Sequence, residues 1–269
     1  MEAIQYEDID IINIKSLQKS FDTPNGKKFT LFNDFNLDIK DYKDKNQFIS
    51  ILGESGCGKS MLIKMISGLE DYDGGSILIK GEERKENEHI PMVMQQYSSF
   101  SWMSVYDNVA LPLKLKGKSN KKIKPVVMEL LKIVGLEGME KKYASTSVLS
   151  GGQLQRVAIA RTLATNSPII LLDEITSALD IKMKQQIQEL LLSIYYGSKE
   201  DRTFINVTHD IREAVLLSDR VIVLAPNPAR IVGDITINMS GNRLDPNIKK
   251  MQVFQTYVEQ IEQLIRNNK

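Results

Sequence analysis

Gly53-Glu54-Ser55-Gly56-Cys57-Gly58-Lys59-Ser60 places its glycines, one lysine and one hydroxyl at the spacing a nucleotide triphosphate requires. Glycines let successive backbone N–H groups turn inward around phosphate oxygens, and the helix that follows adds partial positive charge. In such a loop Lys59 reaches the β- and γ-phosphates and the Ser60 hydroxyl ligates Mg²⁺. A second set of reactive groups ends an apolar run: Ile169-Ile-Leu-Leu172 leads into Asp173-Glu174. At a strand end beside a phosphate loop, such an Asp holds the metal and the adjacent Glu polarises an attacking water. His209, in Val207-Thr-His-Asp210, closes another apolar run, where it is able to hydrogen-bond a γ-phosphate. A third feature is Leu149-Ser150-Gly151-Gly152-Gln153. Ser150 followed three residues on by Gln153 has the spacing of a capping box, so this segment predicts a helix start suited to an anion. Together these groups describe phosphoryl transfer from ATP to water, with Mg²⁺ as cofactor.

The elements that must position them follow from hydropathy. Over the first forty residues Ile12, Ile14, Leu37 and Ile39 alternate with polar residues around the turn signal Pro24-Asn25-Gly26, which predicts an antiparallel β-region. Phe48-Ile-Ser-Ile-Leu52 is apolar enough for a strand buried on both faces. It enters the phosphate loop, and Met61 to Ser67 has helical spacing closed by Gly68. Ser76–Lys80 and Pro91–Met94 are further strand candidates, and strand patterns return at 169–172, 203–207 and 220–224. Strands alternating with helices predict an α/β core around a mixed, mainly parallel sheet. From about residue 97 to 163 the pattern is helical, punctuated by Pro112, Pro125, Gly117, Gly135 and Gly138, and reads as an inserted helical subdomain. The expected division is an ATP-binding domain over 1–237 and an extension over 238–269. In that extension Met251, Val253, Val258, Ile261, Leu264 and Ile265 fall on one helical face, to pack on the body or to meet a partner.

Composition excludes several classes. The 269 residues carry a net charge of +1, so no global field recruits nucleic acid. Cys57 is the single cysteine, which rules out an intrachain disulfide and makes cytosol the simplest compartment. It is a small filler of the phosphate loop or a thiol with a pKa lowered by the helix N-terminus. No apolar run approaches the ~18–20 residues of a membrane span, so any spans must come from other chains. The lysine-rich stretch 114–124 reads as a solvated helix end or as a surface for anionic lipid.

The ordered motifs resemble the ATP-binding subunits of ABC transporters over residues 9 to 237. The resemblance implies that Phe21 stacks on adenine, that Gln95 is the Q-loop glutamine sensing the γ-phosphate and metal, and that Ser177-Ala-Leu-Asp180 is the D-loop. Gln96 is the adjacent alternative to Gln95, which follows the strand directly. It also implies that Ser150, Gly151, Gly152 and Gln153 meet ATP held by a second copy of the chain, so that ATP glues a dimer. Met61 stands where the family has a threonine on the α-phosphate, and Ile175 where it has a proline. The segments Phe100 to Pro112 and Pro228 to Ile235 resemble importers of the nitrate, sulfonate and taurine group, although Ser101 replaces a usual proline. Trp102, the only tryptophan, is placed to touch a membrane subunit or to pack in the helical block. The resulting expectation is an importer ATPase on the cytoplasmic face of the membrane. It would work with permease subunits and, through them, an extracytoplasmic solute-binding protein, on a small anion or an organosulfur or nitrogen compound. The alternatives are a switch on a membrane complex that moves no solute and a soluble ATPase of translation or DNA repair. The last is disfavoured by the single cassette and the absence of a long coiled-coil insertion.

Overall fold

In the computed structural model, residues 6–42, 45–84, 88–96, 98–197, 201–239 and 241–268 are described. Residue 97, where the helical block was expected to begin, and positions 240 and 269 of the tail lie outside them. The chain forms two compact units, one of residues 1–90 with 198–269 and one of residues 91–197. The second takes in the expected helical block and extends it at both ends.

The first unit opens with β1 (Tyr6–Asp22) and β2 (Lys28–Tyr42), an antiparallel pair closed over the Pro24-Asn25-Gly26 turn. Ile12, Ile14, Leu37 and Ile39 are buried, which is the face that period-two alternation assigned. β3 (Gln47–Gly53) is buried at every residue and delivers the chain to the loop before α1 (Lys59–Ser67). Gly68 ends α1 in the left-handed conformation (φ 83°), where a side chain would be strained. β4 (Gly74–Ile79) pairs with β1, and the short β5 (Glu82–Glu83) pairs with β4, completing a four-stranded antiparallel sheet in the order β2-β1-β4-β5.

The second unit holds β6 (Met92–Val93), α2 (Val105–Leu115), α3 (Asn120–Ile133), α4 (Gly151–Leu163), β7 (Ile169–Asp173) and α5 (Ile181–Gly197), with β6 and β7 parallel. Gly117, Gly135 and Gly138 separate these helices, but the two prolines do not. Pro112 lies inside α2 and Pro125 inside α3. Each forfeits one i→i−4 hydrogen bond. The buried faces Val109, Ala110 and Leu113 of α2, and Ile123, Val127 and Leu131 of α3, hold the helices by packing instead.

The chain then returns to the first unit with β8 (Thr203–Thr208), α6 (Ile211–Leu217), β9 (Arg220–Ala225), β10 (Arg230–Thr236) and α7 (Gln252–Asn267). β3 pairs in parallel with both β8 and β9, and β10 adds an antiparallel edge to β9. The α/β fold with a mixed, mainly parallel sheet is therefore present. α7 buries Phe254, Val258 and Ile261, spaced four and three apart. Met251 and Val253 are exposed, so the apolar stripe of the tail is centred on Phe254 rather than on the two residues expected to begin it. Leu264 reaches Gly233 of β10, where a β-carbon would lie 2.7 Å from its Cδ1. Arg243 ties the intervening chain down through Asp219 (2.7 Å) and the Leu217 carbonyl (2.9 Å).

Candidate functional site

The phosphate loop follows from its glycines. Gly56 and Gly58 take positive φ (83° and 96°), the region that only glycine enters without strain. At Gly58 a β-carbon would sit 2.9 Å from Phe32 Cζ and 3.2 Å from Leu31 Cδ1, so β2 presses directly on the loop. At Gly53 it would sit 2.6 Å from Cys57 Sγ and 2.7 Å from the Leu224 carbonyl, so the end of β9 closes on the other side. Lys59 is buried, and its ammonium donates to the carbonyls of Gly53 and Glu54 at 2.9 Å each. Those contacts hold the charge within the ring of the loop. Ser60 and the half-buried Met61 open α1 beside it.

Cys57 is fully buried, with Sγ 4.0 Å from the Lys59 ammonium. Burial pushes its thiol above the ordinary cysteine value, outweighing the lowering effect of Lys59. Of the two readings of Cys57 this favours the small filler over the activated thiol: desolvation wins over the helix N-terminus. We expect iodoacetamide at pH 7 to leave the thiol essentially unmodified by intact mass, with or without ATP. Rapid labelling that ATP blocks would contradict this.

In the same unit Phe21 lies on β1 and His209 follows β8 as an exposed residue. Asp210 caps α6 by accepting from the Glu213 N–H (3.0 Å). His209 is therefore held between a fully buried strand and a capped helix.

In the second unit β7 is buried throughout and ends at Asp173, itself buried. Glu174 follows with φ 46°, a left-handed backbone uncommon for a non-glycine residue. Its carbonyl accepts both the N–H (3.1 Å) and the hydroxyl (2.8 Å) of Ser177. Gln95 donates its amide to the same Ser177 hydroxyl at 3.1 Å. Gln95, Ser177 and Glu174 thus form one hydrogen-bonded chain, a link that spacing of 82 residues could not reveal.

α4, whose start carries the Leu149–Gln153 signature segment, begins as the spacing predicted. Ser150 Oγ accepts from the Gln153 N–H (3.3 Å) and Gln153 Oε1 accepts from the Ser150 N–H (2.9 Å). Gly152 lies against Met183, at 3.5 Å from a would-be β-carbon, and the Met183 N–H donates to Asp180 Oδ1 at 2.9 Å. Met183, which no sequence pattern marked, thereby joins the signature to the D-loop aspartate. Trp102 is 72% exposed and touches Phe100 (centroids 5.2 Å), so it is not packed in the helical block. Asn108, fully buried, fixes the loop beneath it through the Phe100 N–H (2.8 Å) and carbonyl (3.0 Å).

A family model described as ABC transporter matches residues 32–177, which include the phosphate loop, Gln95, Ser150–Gln153 and Asp173–Glu174. The chain belongs to the ABC transporter family. Among curated relatives, the spermidine/putrescine import ATP-binding protein PotA of Haemophilus influenzae is 40% identical over 82% of the chain and 57% of its own length. The chain thus spans little more than half of that relative. The taurine import ATP-binding protein TauB of Jannaschia sp. is 34% identical over 94% of the chain and 91% of its own length. Among solved structures, a dimeric post-hydrolysis state of the ATP-binding cassette MJ0796 bound to ADP and Pi superposes with a TM-score of 0.71. It is 30% identical and covers 85% of the chain and 99% of its own.

Proposed function

We propose that the chain is the ATP-binding and hydrolysing subunit of an importer, with ATP-driven closure of two copies coupled to solute uptake through separate permease subunits. The observation that carries this is the presence in one chain of two helix starts built for anions: α1 behind the left-handed glycines of the phosphate loop, and α4 behind its capping box. One copy holds the triphosphate with residues 53–61 and Phe21, and Ser150–Gln153 with Asp180 of the other copy cover it. Ser60, Asp173 and Gln95 are the groups for a Mg²⁺ ion, which when bound offsets phosphate charge. Glu174 orients and deprotonates water, Lys59 neutralises the developing charge, and His209 and Gln95 register the γ-phosphate.

No helix among the described residues is long and apolar enough to cross a membrane, which fits a subunit that acts peripherally at the cytoplasmic face. The match to TauB covers 94% of this chain and 91% of that protein. That supports the nitrate, sulfonate and taurine group and a small anionic or organosulfur or nitrogen solute. The domain reading is an ATP-binding domain over 1–237 with its helical part at 97–163, followed by the 238–269 extension.

The test is to copurify the chain with its permease, reconstitute both in liposomes and add the partner binding protein loaded with taurine, an alkanesulfonate or nitrate. ATP hydrolysis is expected to rise several-fold with the cognate solute. Partners that couple hydrolysis to no solute would replace this reading with that of an ATP-driven switch on a membrane complex.

A further inference from the structure

We propose that the connection between α2 and α3, residues 114–124, is a lipid-docking surface that holds the chain against a bilayer with anionic headgroups. It carries Lys114, Lys116, Lys118, Lys121, Lys122 and Lys124, and no acid occurs from 108 to 128. These six positive charges stand in a chain whose net charge is +1. The field is therefore local, and its sign selects an anionic partner. Every residue from 114 to 122 is exposed. Leu113 and Ile123 flank them and are buried, so the loop is raised between two apolar anchors. Backbone bonds fix its shape: the Gly117 N–H donates to the Lys114 carbonyl (2.9 Å) and the Lys118 N–H to the Leu113 carbonyl (3.1 Å).

Pairing within the chain accounts for two of the six lysines. Lys114 bonds Asp107 at 2.7 Å, and Lys116 donates to the Thr165 carbonyl. The side chains of Lys118, Lys121, Lys122 and Lys124 meet no carboxylate among the described residues. Helix stability does not explain them either. Lys121 and Lys122 lie in the first turn of α3, where the helix dipole disfavours cations and no acid offsets them. Leu115 decides the kind of anion. It is 80% exposed, between Lys114 and Lys116. Nucleic acid or soluble phosphate gives a bare leucine nothing to bury against. A bilayer takes the leucine at its headgroup boundary while the lysines hold the headgroups. Each lysine at such a surface is worth roughly fivefold in binding.

The peripheral placement proposed above brings a bilayer within reach, and the lipid contact rests on that reading for its setting. The vesicle assay needs no permease, so the two fail separately. The full chain is cosedimented with vesicles of phosphatidylcholine alone or mixed equally with phosphatidylglycerol, in low salt and in about 0.5 M NaCl. The wild type is expected to bind the anionic vesicles at least about tenfold more tightly, and high salt should abolish the difference. Exchanging Lys118, Lys121, Lys122 and Lys124 together for Gln should cost at least about tenfold on anionic vesicles, and exchanging the same four for Arg should cost less than about twofold. Leu115→Gln should cost about three- to tenfold. Equal binding of the wild type to both vesicle types, or none to either, overturns the lipid contact. So does wild-type affinity in the fourfold Gln variant. If that variant keeps its vesicle binding but no longer copurifies with the permease, the loop belongs to a protein partner and the lipid contact is again overturned.

Discussion

Glu174→Gln is expected to cut ATP turnover by at least about a hundredfold, the range that removal of a general base produces, while ATP still binds. The substitution is close to isosteric, so the local fold should survive it. β7 is buried at every residue up to Asp173, and the turn after it is held by two hydrogen bonds from Ser177 to the Glu174 carbonyl. Those bonds involve the backbone, which the exchange does not touch. The left-handed φ of 46° at Glu174 stays as affordable for glutamine as for glutamate. What disappears is the carboxylate that accepts a proton from water. With hydrolysis blocked, the contact that favours the closed pair persists, and the population shifts toward dimer. Phosphate release and sedimentation velocity with ATP and Mg²⁺ check both halves. Normal phosphate release by the variant would remove Glu174 from the role of base, and loss of turnover without a dimer would break the link between hydrolysis and opening.

How much of this was legible in the sequence depends on how local each feature is. The phosphate loop, the Gly68 cap and the Ser150–Gln153 capping box each depend on residues within a few positions, and all three stand as their spacing required. Pro112 and Pro125 misled because the cost of a proline inside a helix is local while its compensation is tertiary burial of α2 and α3. Cys57 stayed open between two readings for a similar reason. Its helix N-terminus is visible in sequence, but the burial that dominates its thiol is not. Trp102 gave no clue to its exposure, because the residue that orients its loop, Asn108, acts through side-chain bonds to Phe100.

The largest test of the two-copy reading is Ser150→Arg, alone and mixed with Lys59→Ala. Alone, Ser150→Arg is expected to retain most of its ATP affinity and lose nearly all hydrolysis. Ser150 is exposed and its hydroxyl accepts one bond, from the Gln153 N–H, so the substitution costs α4 a cap worth ~0.5–2 kcal/mol. Burial of Leu154, Val157, Ala158 and Ile159 keeps the helix in place. The arginine instead puts bulk where the second nucleotide must dock. Lys59→Ala has the converse defect, an intact signature and a failed phosphate loop. If both halves of a site came from one chain, a mixture of the two variants would be as inactive as either. If each site joins the loop of one copy to the signature of the other, half the dimers in an equal mixture carry one fully intact site. Such a mixture should show about one quarter of the wild-type rate under two-fold pairing. Single-chain chemistry predicts no recovery at all, so an inactive mixture that still dimerises with ATP would refute a site shared between copies.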